Sequence, residues 1–187
     1  MRKVIFGINA SADGFFGHTD MNADEALHEY FMQMLQDSSE ILYGRTTYEL
    51  MVPFWPEIAK NESMSQVSND FAKVFTYMEK ILFSNSISKV SDPNTTLATR
   101  PLKEEVTYLK KQPGKDICVG SLSLASQLSN YGLIDEYRIV IHPVIVGKGP
   151  RLFFNHSLEN TIRLELVSTK TFPSGNTALH YRTLRNH

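Results

Sequence analysis

The chain has 187 residues and one cysteine, and its 19 Lys and Arg against 20 Asp and Glu leave a net charge of -1. That is about one domain by length, and 42% apolar with 21% charged residues excludes a disordered tail. No basic excess points to nucleic acid, and a lone cysteine excludes an internal disulfide, which fits a reducing, cytoplasmic setting.

The first apolar run, Val4-Ile5-Phe6-Gly7-Ile8, follows a basic flank but is broken by Asn9, Ser11 and Asp13, so it reads as a buried strand and not as a leader. No run approaches the ~18 apolar residues of a membrane span. Residues 24–36 carry Leu27, Phe31, Met34 and Leu35 at helical spacing. A strand at 41–43 runs into Gly44, Arg45, Thr46 and Thr47. Thr46 with Glu49 three residues on is a capping-box pattern, which predicts a helix starting at Thr46. Residues 68–77 read as a helix through Phe71, Val74 and Phe75. A strand at 81–83 runs into Ser84, Asn85 and Ser86, and the polar stretch 84–96 reads as a surface loop.

A charged helix follows at 102–111, with Val106 and Leu109 as its apolar stripe. The strand 117–119 runs into Gly120, Ser121, Leu122 and Ser123. Leu124, Leu128 and Tyr131 then recur helically, with Gly132 where a C-terminal cap belongs. After a strand at 139–141, Gly147-Lys148-Gly149 lacks the Ser or Thr of a phosphate loop and reads as a strand-to-strand turn. Residues 164–172 alternate, 173–176 form a turn cluster and 177–184 resume, which predicts an antiparallel hairpin. The near-continuous apolar runs read as strands buried on both faces. The expected fold is therefore α/β, a mixed, mostly parallel central sheet flanked by helices, in one domain over 1–187.

Three strand ends carry the candidate chemistry. In open α/β sheets ligands collect at the carboxyl ends of strands. Gly44 and Gly120 let the backbone approach a ligand closely, and a helix beginning there offers unpaired N–H groups to anions. Arg45 adds a guanidinium suited to phosphate. Two glycine-to-helix turns and a Ser-Asn-Ser strand end together suggest a dinucleotide. The histidines, His18, His142, His156, His180 and His187 included, show no ligand spacing, so no metal site is expected. Cys118, inside an apolar strand, reads as an inert buried thiol.

Asn9-Ala10-Ser11-Ala12-Asp13-Gly14-Phe15, then Gly44-Arg45-Thr46-Thr47-Tyr48-Glu49 with Phe54-Trp55-Pro56, then Val119-Gly120-Ser121 with Leu124 and Leu128, and finally the segment from Leu133 to Phe153 resemble, in this order, motifs of one superfamily. The chain resembles the dihydrofolate-reductase-like proteins, in particular the reductase domain of the bifunctional riboflavin-biosynthesis deaminase-reductase. The resemblance runs from Lys3 to Tyr181. It implies NADPH bound across the strand ends. Gly44, Arg45, Thr46 and Thr47 would hold one side of the pyrophosphate, and Gly120, Ser121, Leu122, Ser123 and Leu124 the other. Ser84 and Asn85, with Arg45, would face the adenosine 2′-phosphate. Asn9 and Ala10 would lie beside the nicotinamide, under a mobile loop from Asp13 to Phe16. The implied substrate is a pterin- or pyrimidine-like heterocycle, and the implied assembly a homodimer.

Departures bear on the substrate. The riboflavin-pathway reductases carry a lysine in the first strand for the ribosyl phosphate, and Gly7 stands at the matching position. Dihydrofolate reductases carry an acid in their first helix. Asp24 lies near that place as the candidate catalytic acid, but at a helix start where acids serve as caps. The third motif has one glycine where those enzymes have two. Tyr48, Phe54 and Trp55 are either an aromatic wall of a substrate pocket or packed core. His28 is either a proton donor or a surface histidine. The alternatives to a reductase are an NADPH-binding sensor without turnover and a homodimeric interaction module that pairs through the edge of its C-terminal hairpin.

Overall fold

The computed structural model describes residues 1–17, 21, 23–153 and 157–184, so His18, His156 and His187 lie outside the described residues. The chain order is β1 (Val4–Ser11), α1 (Glu25–Gln36), β2 (Ser38–Gly44), α2 (Arg45–Met51), α3 (Trp55–Asn61), α4 (Gln66–Tyr77), β3 (Glu79–Phe83), β4 (Thr95–Leu97), α5 (Leu102–Lys111), β5 (Asp116–Val119), α6 (Leu122–Asn130), β6 (Glu136–His142), β7 (Leu164–Thr171) and β8 (Thr177–Thr183). Among the described residues the strands form one eight-stranded sheet in the order β4-β3-β2-β5-β1-β6-β8-β7. Pairing is parallel from β4 through β6 and antiparallel at β6–β8 and β8–β7. The expected hairpin is present, and β8 rather than β7 docks on the parallel part.

The two-residue period of the strands sorts the core onto two faces. Ile5, Ile41, Tyr43 and Cys118 meet Met34 and Leu35 of α1 and Phe71 and Phe75 of α4 on one face. Val4, Phe6, Leu42, Ile117 and Val119 meet Val106 of α5 and Leu124 and Leu128 of α6 on the other. Cys118 is fully buried beside Ser38, and burial pushes its thiol up to about 12. Gly132 follows α6 with φ 64°, the left-handed stop that its position predicts.

Four details differ from the sequence reading. α2 begins at Arg45, with Gly44 as its N-cap and no side-chain cap, so the Thr46 box does not form. The sequence reading assigns no element to 55–61, yet α3 forms there, with Pro56 in its first turn, where its missing N–H costs nothing. The stretch 84–96 ends in a short edge strand, β4, parallel to β3. Gly147 to Gly149 lies in a long connection between β6 and β7, two strands that do not pair.

Lys80 anchors that edge. Its side chain is fully buried, donates to the carbonyls of Thr76 (3.1 Å) and Met78 (2.9 Å) at the end of α4, and lies 3.3 Å from the Asp92 carboxylate. Asp92 also accepts from the Thr95 hydroxyl at 2.5 Å. Lys80 thus ties a helix terminus, β3 and the start of β4 into one unit. No helix among the described residues is long and apolar enough to cross a membrane.

Candidate functional site

The connections define a crevice. The chain leaves β1 through α1 on one face, while it leaves the neighbouring β5 through α6 on the other. Adjacent strands whose continuations part to opposite faces form the topological switch point of an open sheet. β5 is also short. Its four residues end at Val119, which pairs with Phe6 on one side and Leu42 on the other. β1 runs on from Gly7 to Ser11 paired only with β6, and β2 runs on to Gly44 paired with β3. The result is a notch above β5, walled by upper β1 and the end of β2 and floored by Gly120 and Ser121.

Gly44 and Gly120 therefore stand side by side. A Cβ on Gly44 would lie 2.9 Å from Ser121 Oγ and 3.3 Å from Ser123 Oγ, so the starts of α2 and α6 touch. Neither helix has a side-chain cap at its N-terminus, and the hydroxyls of Ser121 and Ser123 lie 3.3 Å from each other. Free amides and the positive end of the nine-residue α6 thus meet at the notch. Arg45 is exposed beside it, with one ion-pair contact among the described residues, 3.8 Å to Glu49 one helical turn away. The pairing of Gly44 with Phe83 brings Ser84 alongside. Ser84 Oγ accepts from the amides of Ser86 (3.2 Å) and Ile87 (3.0 Å), and Asn85 is exposed. Thr46 is exposed and Thr47 partly so.

Upper β1 meets a second loop. Asp13 accepts from the Ser11 hydroxyl (2.6 Å) and from the amides of Gly147 (2.7 Å) and Val146 (3.3 Å). Chiefly the Ser11 hydroxyl holds the Asp13 carboxyl below the ordinary range. Ala12 donates to Val144, Phe16 donates to Pro150, and the Arg151 guanidinium covers the Phe15 ring at 4.0 Å. The loop expected to be a flap is thus fastened to the β6–β7 connection.

Asp24 is the N-cap of α1 and accepts from the Leu27 amide at 2.8 Å. Hydrogen bonding from Ser174 in the hairpin turn, with the Leu27 amide, holds its carboxyl below the ordinary value despite opposing burial. Such a carboxylate stays ionised and is a poor proton donor. Tyr48 and Trp55 are buried in the core beneath α1 and α4, whereas Phe54 is 48% exposed. His28 is half-buried rather than on the surface. Its ring centroid lies 5.7 Å from those of Trp55 and Phe71, its Nδ1 lies 3.0 Å from Ser68 Oγ, and burial lowers its pKa. At Gly7 a Cβ would fall 2.5 Å from Met34 Cε and 2.6 Å from its Sδ, so the site of the expected lysine is filled by methionine. Sequence reasoning weighed His142 only as a metal ligand. It is buried at the end of β6 with Nε2 3.0 Å from Asn9 Oδ1, and its position just before Pro143 at a strand end was the available signal.

Fold and crevice define an α/β protein of the dihydrofolate-reductase-like kind, with a mixed, mostly parallel sheet and a crevice at its switch point. The sequence profile of the RibD C-terminal domain family matches residues 2–178, and the chain belongs to that family. It is 33% identical over 178 residues to YyaP of Bacillus subtilis, covering 93% of this chain and 91% of that protein. Its fold matches a pyrimidine reductase-like protein of Corynebacterium diphtheriae at a TM-score of 0.67 and 15% identity, over 99% of this chain and 93% of that one. It also matches the Thermotoga maritima diaminohydroxyphosphoribosylaminopyrimidine deaminase/5-amino-6-(5-phosphoribosylamino)uracil reductase at 0.67 and 16% identity, over 98% of this chain and 57% of that one.

Proposed function

We propose that this chain is a cytoplasmic NADPH-dependent reductase acting on a pterin- or pyrimidine-like heterocycle. The observation that carries the reading is the notch above β5, where Gly44 and Gly120 bring two uncapped helix starts together. A Cβ at Gly44 would crowd that junction, and exposed Arg45 stands at its rim, so the residues fit a bridging diphosphate. Gly44 to Thr47 and Gly120 to Leu124 hold the pyrophosphate from two sides. Arg45, Ser84 and Asn85 face the 2′-phosphate, and Asn9 and Ala10 border the nicotinamide. NADPH, when bound, supplies a hydride for a C=N bond of the acceptor. The protein aligns the two flat groups. Water supplies the accompanying proton, because the Asp24 carboxylate is committed to its cap and to Ser174.

The expected signature is selective. By calorimetric titration, Arg45→Ala weakens NADPH about ten- to hundredfold, the range of a lost charge-assisted contact, and leaves NADH little changed. Equal losses for both coenzymes remove Arg45 from 2′-phosphate recognition. Absence of NADPH binding by the folded protein removes the reductase reading. NADPH binding without oxidation in the presence of dihydrofolate or 5-amino-6-(5-phosphoribosylamino)uracil points to the sensor instead.

The proposed enzyme is a homodimer joined through β7. All eight residues of that outermost strand are exposed, with Leu166 at 54% and Val167 at 49%. An open edge bearing apolar side chains invites strand pairing with a second copy. Light scattering should give the mass of two 21.3 kDa chains, and Val167→Lys should give one. A monomeric wild type overturns this assembly.

A further inference from the structure

Asn9 and His142 form a polar pair on the α1 side of the crevice. Asn9 lies on the part of β1 that outruns β5. His142 is the last residue of β6, in register with Ser11, and its ring reaches back to put Nε2 3.0 Å from Asn9 Oδ1. His142 is 2% exposed. Asn9 is partly exposed, and its one side-chain hydrogen bond among the described residues is through Oδ1. The oxygen end of the Asn9 amide is thus fastened inside the protein, on the stretch of β1 that walls the notch.

The placement of Asn9 Oδ1 beside the ring sets the polarity of the pair. A carboxamide oxygen only accepts, so the nitrogen facing it must carry hydrogen. Burial disfavours the charged ring, and the charged group that faces it, Asp24, acts in the opposite sense. A neutral imidazole with its hydrogen on Nε2 donates to Asn9 Oδ1 and turns both N–H bonds of Asn9 away from itself.

We propose that His142 is a positioning residue that locks the Asn9 carboxamide with its nitrogen toward the crevice, where it donates to a carbonyl or ring-nitrogen acceptor on the bound ligand. This rests on the reductase reading and adds a specificity element to it: the group that fits beside upper β1 must present an acceptor. Two molecules carry such a group, the coenzyme through its carboxamide and the acceptor heterocycle through its ring.

Nitrogen-15 NMR of the full chain tests the pair without requiring turnover. In the wild type, His142 should show the neutral Nε2–H form. The Asn9 side-chain amide, assigned with Asn9→Asp, should shift when its partner arrives. A shift with NADPH but not with adenosine 2′,5′-diphosphate identifies the nicotinamide carboxamide as that partner. A shift only when dihydrofolate joins NADPH identifies the heterocycle. His142→Leu should weaken binding of the identified partner about three- to tenfold, the range of one hydrogen bond. His142→Gln, which keeps an N–H, should stay within about twofold of wild type, a rescue that a merely space-filling role would not give. The proposal is overturned by hydrogen on Nδ1, or by shifting Gly44 and Gly120 backbone amides with an unmoved Asn9 amide. If those glycine amides stay still as well, the nucleotide reading falls with it.

Discussion

Lys80→Ala is expected to lower stability by about 3–5 kcal/mol, the range found when one partner of a buried ion pair is removed. The ammonium is sealed from water, and its loss strands the Asp92 carboxylate, whose side chain is only 7% exposed. It also takes the Lys80 donor from the Met78 carbonyl, while the Thr76 carbonyl keeps that of Asn94. The melting temperature by circular dichroism should fall by at least about 6 °C, using roughly 2–4 °C per kcal/mol for a chain of this size. Lys80→Met with Asp92→Leu should cost much less, because no charge is then left behind. A change under about 1 kcal/mol for the single variant would show that the pair is idle.

Gly120→Ala should damage fold and site together. The added methyl overlaps Cε1 of Tyr43 and lies 3.2 Å from Cζ and 3.3 Å from Ile41 Cδ1. Tyr43 is 2% exposed and packs with Phe75, so it has little room to retreat. Overpacking of this kind costs about 1–3 kcal/mol. Any relief moves the backbone that leads into α6, so NADPH affinity should fall as well. Gly17→Ala is the control, since a Cβ there meets nothing within 4 Å. Denaturant titration and calorimetry of both variants decide the matter. Wild-type stability and NADPH affinity in Gly120→Ala would show that Tyr43 yields freely.

Much of the architecture was legible because its signals are local. Val4 to Ile8 and Ile117 to Val119 are buried on both faces and read as unbroken apolar runs. Leu27, Met34 and Leu35 repeat with helical spacing, and α5 has the bounds its sequence predicts. The glycine-to-helix turns at Gly44 and Gly120 were visible, and the sheet brings them together. What stayed hidden depends on partners distant in sequence. β4 is three residues long and polar, and it exists because β3 and the Lys80–Asp92 pair hold it. Thr46 carries a cap signature that loses to Gly44, which begins the helix one residue earlier. The acid of Asp24 is recognisable, but its commitment to Ser174 is not, because the hairpin turn that supplies Ser174 lies at the other end of the chain. The place of His142 at a strand end is visible locally, but its partner Asn9 lies 133 positions away.

The thioether of Met34 above Gly7 acts as a plug. Grafting a lysine onto β1 at that point by a single exchange would drive its stem into a side chain that is itself 4% exposed. Relieving that overlap takes either a swing of the Met34 thioether end or a shorter residue 34, so the two positions are coupled. A sugar phosphate seeking a cation on this strand finds hydrocarbon and sulfur instead.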